Sequence, residues 1–334
     1  MAMWVLLILA LIAWGLGRRS SLEVSVLETY RGKLRSYAAA RAGINKVLDL
    51  LQRSPSTKDT LYSTGIGIDA TKSPQDIYSH FDTGQNAYAI VQWPARNFNT
   101  EDGKTKLEYG LRDEEGKINI NAINISNYQI LSALLQLQGI AQSDADKLAL
   151  AIVNYTGINA QTSNNNTFMT LDETRVKPKN RPYANILELL EVDGMSRKIF
   201  DKIKDDVTVY GDLQRGLWIN TDTANNDVLL AVANATSRFN PSLNPADIVR
   251  EAAMIRDGAD AQSFTADDGV GSITSVNDPN WPASLQEGVS GYYRARVVGV
   301  DSGSGTRTVL EAVIHQTQGS SGEIISWQRD QEHL

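Results

Sequence analysis

The chain has 334 residues, 42% of them hydrophobic and 21% charged, and a net charge of −7. That length predicts two or three compact units, with enough apolar residues for real cores. The acidic balance argues against nucleic acid as the main partner, since phosphate binding wants a basic face. The absence of cysteine removes disulfides, thiolate metal sites and cysteine nucleophiles together.

The chain opens on MAMWVLLILALIAWGLG, 17 residues without a charge, followed by Arg18 and Arg19. This is the short end of what spans a bilayer as a helix. A secretory signal peptide would begin with a positive region and end at a small-residue cleavage site. Here the positive charges come after the apolar run, and Trp4 and Trp14 are expected at the bilayer. From Ser20 to Ser54 there is no proline. Leu27, Tyr30, Leu34, Tyr37, Ile44, Leu48 and Leu51 recur at helical spacing, with Arg41 as the break in their face. The spacing predicts one continuous helix ending near Pro55, a rod of about 80 Å at ~1.5 Å per residue.

A polar connector follows, then NAYAIVQWPARNF and TKLEYGLRDEEGKININA. Ala87, Ala89, Val91 and Trp93 alternate, as do Leu107, Tyr109 and Leu111, which predicts two strands of a half-buried sheet. Pro94 and the turn Asn99 to Gly103 are expected to close the first. Asp113 to Gly116 reads as a turn and Lys117 to Asn121 as a last strand. Asn124 or Ser126 is the expected N-cap of the next helix, stopped by Gly139. Ser143 and Asp146 read as a capping box for a second helix. Asn185 and Glu188 form another capping pair, Gly194 separates two short helices, and a further helix is expected to begin at Thr221 or Thr223. Toward the C-terminus, a helix is predicted at Pro245 to Arg256, a hairpin around Asp301 to Thr306, and a final strand at EIISWQRD.

An apolar half-helix continuous with an amphipathic one resembles a type IV pilin or pseudopilin. In that family the first half lies in the membrane and then in the filament core, while the second packs on a globular head. The chain is expected to begin at or near the mature terminus. Pilins usually carry Glu at the fifth mature position, whose carboxylate compensates the N-terminal ammonium of a neighbouring subunit; Val5 stands there instead. The order GKIN, helical hairpin, KNRPYANILELLEVDGM, VTVYG, INTDTA resembles the K-type minor pseudopilin of type II secretion, over Met1 to Ala235. That family also lacks the fifth-position Glu, which suits a subunit at the tip, with nothing above it.

The resemblance implies an α+β fold: a long N-terminal helix with an antiparallel sheet, interrupted by an inserted helical domain with helix-hairpin-helix-like turns. The corresponding units are residues 1–54 (membrane and filament helix), 55–121 (first part of the head), 122–211 (inserted helical domain) and 212–334 (the rest of that domain and the C-terminal sheet). It implies assembly through Val5, Leu27, Tyr30 and Leu34 with other minor pseudopilins and the major pseudopilin. The implied location is the inner membrane in a single pass, with a periplasmic head at the pseudopilus tip. The secretin channel and exported cargo are further candidate partners.

Members of the family are expected to bind calcium in loops of the helical domain. Asp172 and Glu173 lie where family carboxylates would, although the expected D-W-R-D stretch reads VNYTG here. Calcium takes six to eight oxygens, so two carboxylates are an incomplete set, and a solvated loop is the plainer reading. Arg197, Lys198, Lys202 and Lys204 give the second hairpin a basic edge, but Asp193, Asp201, Asp205 and Asp206 sit among them, so a mixed solvated helix is expected rather than a phosphate site. Three scattered His and no G-x-S-x-G, G-x-x-x-x-G-K or H-E-x-x-H motif leave no catalytic constellation. A tip minor pilin of a type IV pilus, contacting a surface or DNA, and a membrane-anchored periplasmic enzyme stand as alternatives.

Overall fold

A computed structural model describes residues 2–53, 61–62, 65–66, 74–84, 86–99, 105–157, 179–221, 223–257, 284–286, 290–317 and 322–330. Helix α1 runs unbroken from Ala2 to Arg53. The pair β1 (Leu61–Tyr62) and β2 (Gly65–Ile66) and the short α2 (Pro74–Tyr78) lead into the sheet. Its strands are β3 (Phe81–Asp82), β4 (Ala87–Asn99), β5 (Thr105–Tyr109) and β6 (Arg112–Asp113).

The chain then leaves for a helical region. This contains β7 (Ile118–Asn119), α3 (Gln129–Leu137), α4 (Gln142–Thr156), a 3₁₀ turn at Ile186–Glu191, α5 (Arg197–Ile203) and β8 (Val207–Thr208). After a 3₁₀ turn at Leu213–Arg215 come β9 (Trp218–Asn220), α6 (Asn226–Ser237), α7 (Pro245–Asp257) and β10 (Ser284–Gln286). It returns to the sheet as β11 (Tyr292–Asp301), β12 (Arg307–His315) and β13 (Glu323–Asp330).

The main sheet has the order β13-β12-β11-β4-β3, with β5 on β4 and β6 on β11, all antiparallel. Period-2 alternation divides its faces. Ala295, Val297, Leu310, Ala312, Ala89 and Val91 meet Ile44, Val47 and Leu51 of α1, whereas Val298, Val300 and Val309 lie on the other side. A second core joins α3, α4, α5, α6 and α7, reaching from Ile118 to Ala252 and on to Leu285. Parallel pairs β7–β8 and β9–β10 tie its two chain passages together. Gly139 and Gly194 take left-handed conformations, φ 86° and 85°, at the two hairpin turns. Helix α7, the hairpin β11–β12 and strand β13 fall where the pattern places them.

Several local expectations are corrected. Strand β4 does not stop at Pro94: beyond Val91 it leaves β11 and pairs only with β5, so proline sits on an edge that needs no N–H. Asn124 and Ser126 do not cap α3, whose cap position is Tyr128; the Asn124 side chain accepts from Ser126 N–H at 2.7 Å in the preceding turn. Ser143 and Asp146 form no capping box, since α4 starts at Gln142. Asp146 instead accepts from Ser132 Oγ at 2.5 Å and faces Arg238 at 3.8 Å. Helix α6 begins at Asn226 under an Asn225 cap rather than at Thr221 or Thr223. Asn185 does cap its 3₁₀ turn through Leu187 N–H at 2.9 Å, with Glu188 reaching back to Ala184 N–H at 3.2 Å.

Candidate assembly interface

Burial of α1 starts at Gly32 and continues through Ser36, Ala39, Ala40, Gly43, Ile44, Val47, Leu50 and Leu51. Small residues let the helix lie almost on the strands. A Cβ on Gly43 would come within 2.6 Å of Val297 Cγ1 and 2.7 Å of Ala89 Cβ, and one on Gly32 would run into Ser304. The stripe expected as a single apolar face is therefore divided. Tyr37, Ile44, Leu48 and Leu51 join the head core, but Leu27, Tyr30 and Leu34 do not: they are 55%, 61% and 52% exposed.

Above Gly32 the helix presents Met3, Trp4, Val5, Leu6, Leu7, Leu9, Leu11, Ile12, Trp14, Val24 and Val26 to solvent, Val5 at 57% exposure. At 1.5 Å per residue this half extends for about 45 Å. So dense a display of large apolar side chains is a surface made to be covered. Among the described residues, no helix is long and apolar enough to cross a membrane.

At the other end of the head, the turn Asp113–Glu114–Glu115 is a buried junction, which the sequence reading treats as a simple turn. It lies where the chain passes from β6 to β7, beside the point where it returns into β11. Asp113 Oδ2 accepts from Ser290 Oγ at 2.5 Å, Thr223 Oγ at 2.6 Å and Asn220 Nδ2 at 3.0 Å, while Oδ1 accepts from Glu115 N–H at 2.8 Å. Glu114 is fully buried and takes Arg294 Nε at 2.7 Å, Arg294 Nη2 at 3.3 Å, Lys117 Nζ at 2.7 Å and the Thr208 hydroxyl. Glu115 accepts from Gly291 N–H at 2.6 Å, and its carbonyl receives Asn220 N–H at 2.8 Å.

The electrostatics differ along these three residues. Burial alone would raise the Glu114 carboxyl, but the Arg294 guanidinium and Lys117 ammonium hold it well below the usual carboxylate range. Burial pushes Asp113 up against its four donors. Burial, with the Asp113 charge beside it, pushes Glu115 up to about 7 despite the Gly291 N–H. Arg294 and Arg296 stand in the largely apolar strand β11; Arg294 is nearly buried, and Arg296 is buried and faces Glu311 at 3.8 Å. Charged residues in such a strand are the sequence signal that a buried carboxylate waits elsewhere.

The basic edge of the second hairpin is locally engaged: Arg197 and Lys204 pair with Asp201 at 3.1 and 3.2 Å, and Lys202 donates to the Gln138 carbonyl at 2.5 Å. Asp172 and Glu173 lie outside the described residues. Among the described residues no group of three or more metal-ligating side chains comes together.

No curated protein matches the sequence. Residues 116–212 match the family model described as type II secretion system (T2SS), protein K. The fold is similar to that of a chain in the crystal structure of the GspK-GspI-GspJ complex from the type 2 secretion system of enterotoxigenic Escherichia coli. The TM-score is 0.55 at 15% identity, over 93% of this chain and 100% of that one. Residues 116–212 are thus similar to the protein K family of type II secretion systems, and they sit within a fold similar to that of a chain in the GspK-GspI-GspJ complex.

Proposed function

We propose that this protein is a minor pseudopilin at the tip of a type II secretion pseudopilus, with a structural rather than catalytic role. The observation that carries the reading is the joining of a protein K domain to a helix whose first half leaves its large apolar residues uncovered. In this reading Trp4 to Leu34 pack laterally against the N-terminal helices of other minor pseudopilins, and the helical domain forms the cap. Before assembly the 17-residue uncharged run anchors the subunit in the inner membrane, Arg18 and Arg19 standing at its periplasmic boundary. Val5 places an alkyl group where a filament subunit would offer a carboxylate to the chain above. A tip subunit has no such chain to serve, and a carboxylate there would lie unpaired among apolar helices.

Detergent co-purification of the full-length protein with mass spectrometry of its partners tests this. Several smaller proteins with pilin-type N-terminal helices are expected, and Val5→Glu should lower their recovery about tenfold, as an unpaired carboxylate buried among apolar helices costs on the order of a few kcal/mol. A protein recovered alone, and indifferent to the substitution, would make a simple membrane-anchored module the better account. Partners belonging to a type IV pilus would move the same mechanism to that system.

For Asp172 and Glu173 we propose calcium as the ion they would take, with backbone carbonyls and water supplying the remaining oxygens. Calorimetric titration with calcium should give heat that is lost in the double variant Asp172→Asn, Glu173→Gln; equal heats would sink the assignment.

A further inference from the structure

The three carboxylates at the junction do more than satisfy a turn. Asp113, Glu114 and Glu115 each bind both passages of the chain between sheet and helical domain: the outgoing one at residues 112–118 and the returning one at Ser290, Gly291 and Arg294. Asp113 and Glu115 also hold the helical domain itself, through Thr223 and Asn220. Two of these carboxylates, Asp113 and Glu115, are adjacent in space, and neither has a buried cation bonded to it as Glu114 has.

We propose that this junction is a proton-dependent lock holding the helical domain against the head sheet, with Glu115 as its titrating group. The proposal concerns the joint alone and does not depend on which partners the protein assembles with.

The charged and titratable groups around Glu115 come from every element packed on it. Asp113, Glu114 and Lys117 lie on its own stretch, Asp212 and Arg215 on the turn before β9, and Tyr292, Tyr293 and Arg294 on β11. Glu114 with Lys117 and Arg294 carries one net positive charge, which Glu311 shares at 3.8 Å from Arg294, whereas Arg215 pairs with Asp212 at 3.6 Å and is half exposed. Burial is the main force raising Glu115 and the Asp113 charge adds to it, while the Gly291 N–H and Arg215 act in the opposite direction without cancelling them. Glu115 also borders a small cleft with Asn119, Tyr210, Asp212 and Trp218, so its proton has a way out without unfolding.

The direction follows from linkage. Glu115 titrates near 4.5 when unfolded and near 7 in the closed joint, so the closed form binds the proton more tightly. The stabilisation is fully present below pH 4.5 and is lost as pH rises toward 7, with no further change well above it. If the open joint returns Glu115 to its ordinary value, the opening equilibrium rises about tenfold between pH 6 and pH 8.

Amide hydrogen exchange of the full-length protein in detergent, from pH 5.5 to 8.5 and corrected for intrinsic exchange, reads this opening directly. Peptides covering 112–120, 206–224 and 290–296 should lose protection about tenfold between pH 6 and 8, while α3 and the centre of β12 hold theirs. Glu115→Gln keeps an acceptor for Gly291 N–H and should show no such rise. Equal protection of the wild-type joint at the two pH values would overturn the proposal by itself, whether or not the variant folds. A variant with an unchanged pH response would overturn Glu115 as the titrating group.

Discussion

Glu114→Ala is expected to lower the stability of the protein by about 3–5 kcal/mol, because it strands two cations in a buried junction. Glu114 is fully buried, and its oxygens take the Arg294 guanidinium from one side, the Lys117 ammonium from another and the Thr208 hydroxyl from a third. Truncation leaves those donors facing a carboxylate-sized void. The measurement is the shift in the chemical unfolding transition, followed by tryptophan fluorescence and by circular dichroism. The further variant Glu114→Leu with Lys117→Met and Arg294→Met should recover part of the loss, since removing a buried ionic set together is far less costly than breaking it.

The pH behaviour separates this carboxylate from its neighbour. Glu114 is held below its ordinary value, so its stabilisation is present throughout the range above about 4.5 and is lost only as pH falls. A change in joint protection between pH 6 and 8 cannot come from it. A loss smaller than about 1 kcal/mol in Glu114→Ala would mean that the bonds in this junction do not bear on folding.

The sequence disclosed the parts of this fold that depend on neighbours along the chain. Helix α1 is legible because Ser20 to Ser54 has no proline and a sustained apolar period. Strands β11, β12 and β13 are legible because their alternation is bounded by turn residues. The K-type resemblance is carried by ordered phrases from Gly116 to Ala224, and the protein K match at 116–212 bears out the part it covers. What stayed hidden depends on distant partners. Asp113–Glu114–Glu115 looks like a solvated turn until Arg294, 180 positions beyond Glu114, is brought beside it. Ser143 and Asp146 have the spacing of a capping box, yet Ser132 and Arg238 compete for the same carboxylate and win it. The division of the α1 face depends on distant partners in the same way. Large residues at one helical spacing suggest a single packed side, but only Tyr37, Ile44, Leu48 and Leu51 reach the core, beside the glycine, serine and alanine that set the close approach, and Leu27, Tyr30 and Leu34 are left outward.

That close approach gives the second large expected effect, from Gly299→Val. Gly299 lies on β11 between Ala89 of β4 and Thr308 of β12, directly beneath α1. A Cβ at this position would fall on the Ser36 carbonyl oxygen and the Ala40 nitrogen. Those atoms belong to the helix backbone and cannot rotate away as a side chain would, so α1 must lift from the sheet. Lifting it loosens Ile44, Val47 and Leu51 from Val297, Ala312 and Ile314, and also separates the buried Ser36–Thr308 hydroxyl pair at 2.7 Å. The expected loss is about 3 kcal/mol or more, at the upper end of overpacking costs. Gly303→Ala is the matched control, because a Cβ there meets Asp301 Oδ2 at an ordinary 3.7 Å and should change stability by less than about 0.5 kcal/mol. The helical domain has its own core, so protection of α3 and α6 should survive in Gly299→Val while that of β11 and β12 falls. The consequence reaches the assembly surface, since α1 is a single rod and tilting its lower half redirects Trp4 to Leu34. Co-purifying partners should therefore fall in Gly299→Val although no residue of the exposed half is altered. Full recovery of partners with a destabilised head would show instead that the exposed half-helix assembles independently of how the sheet holds it.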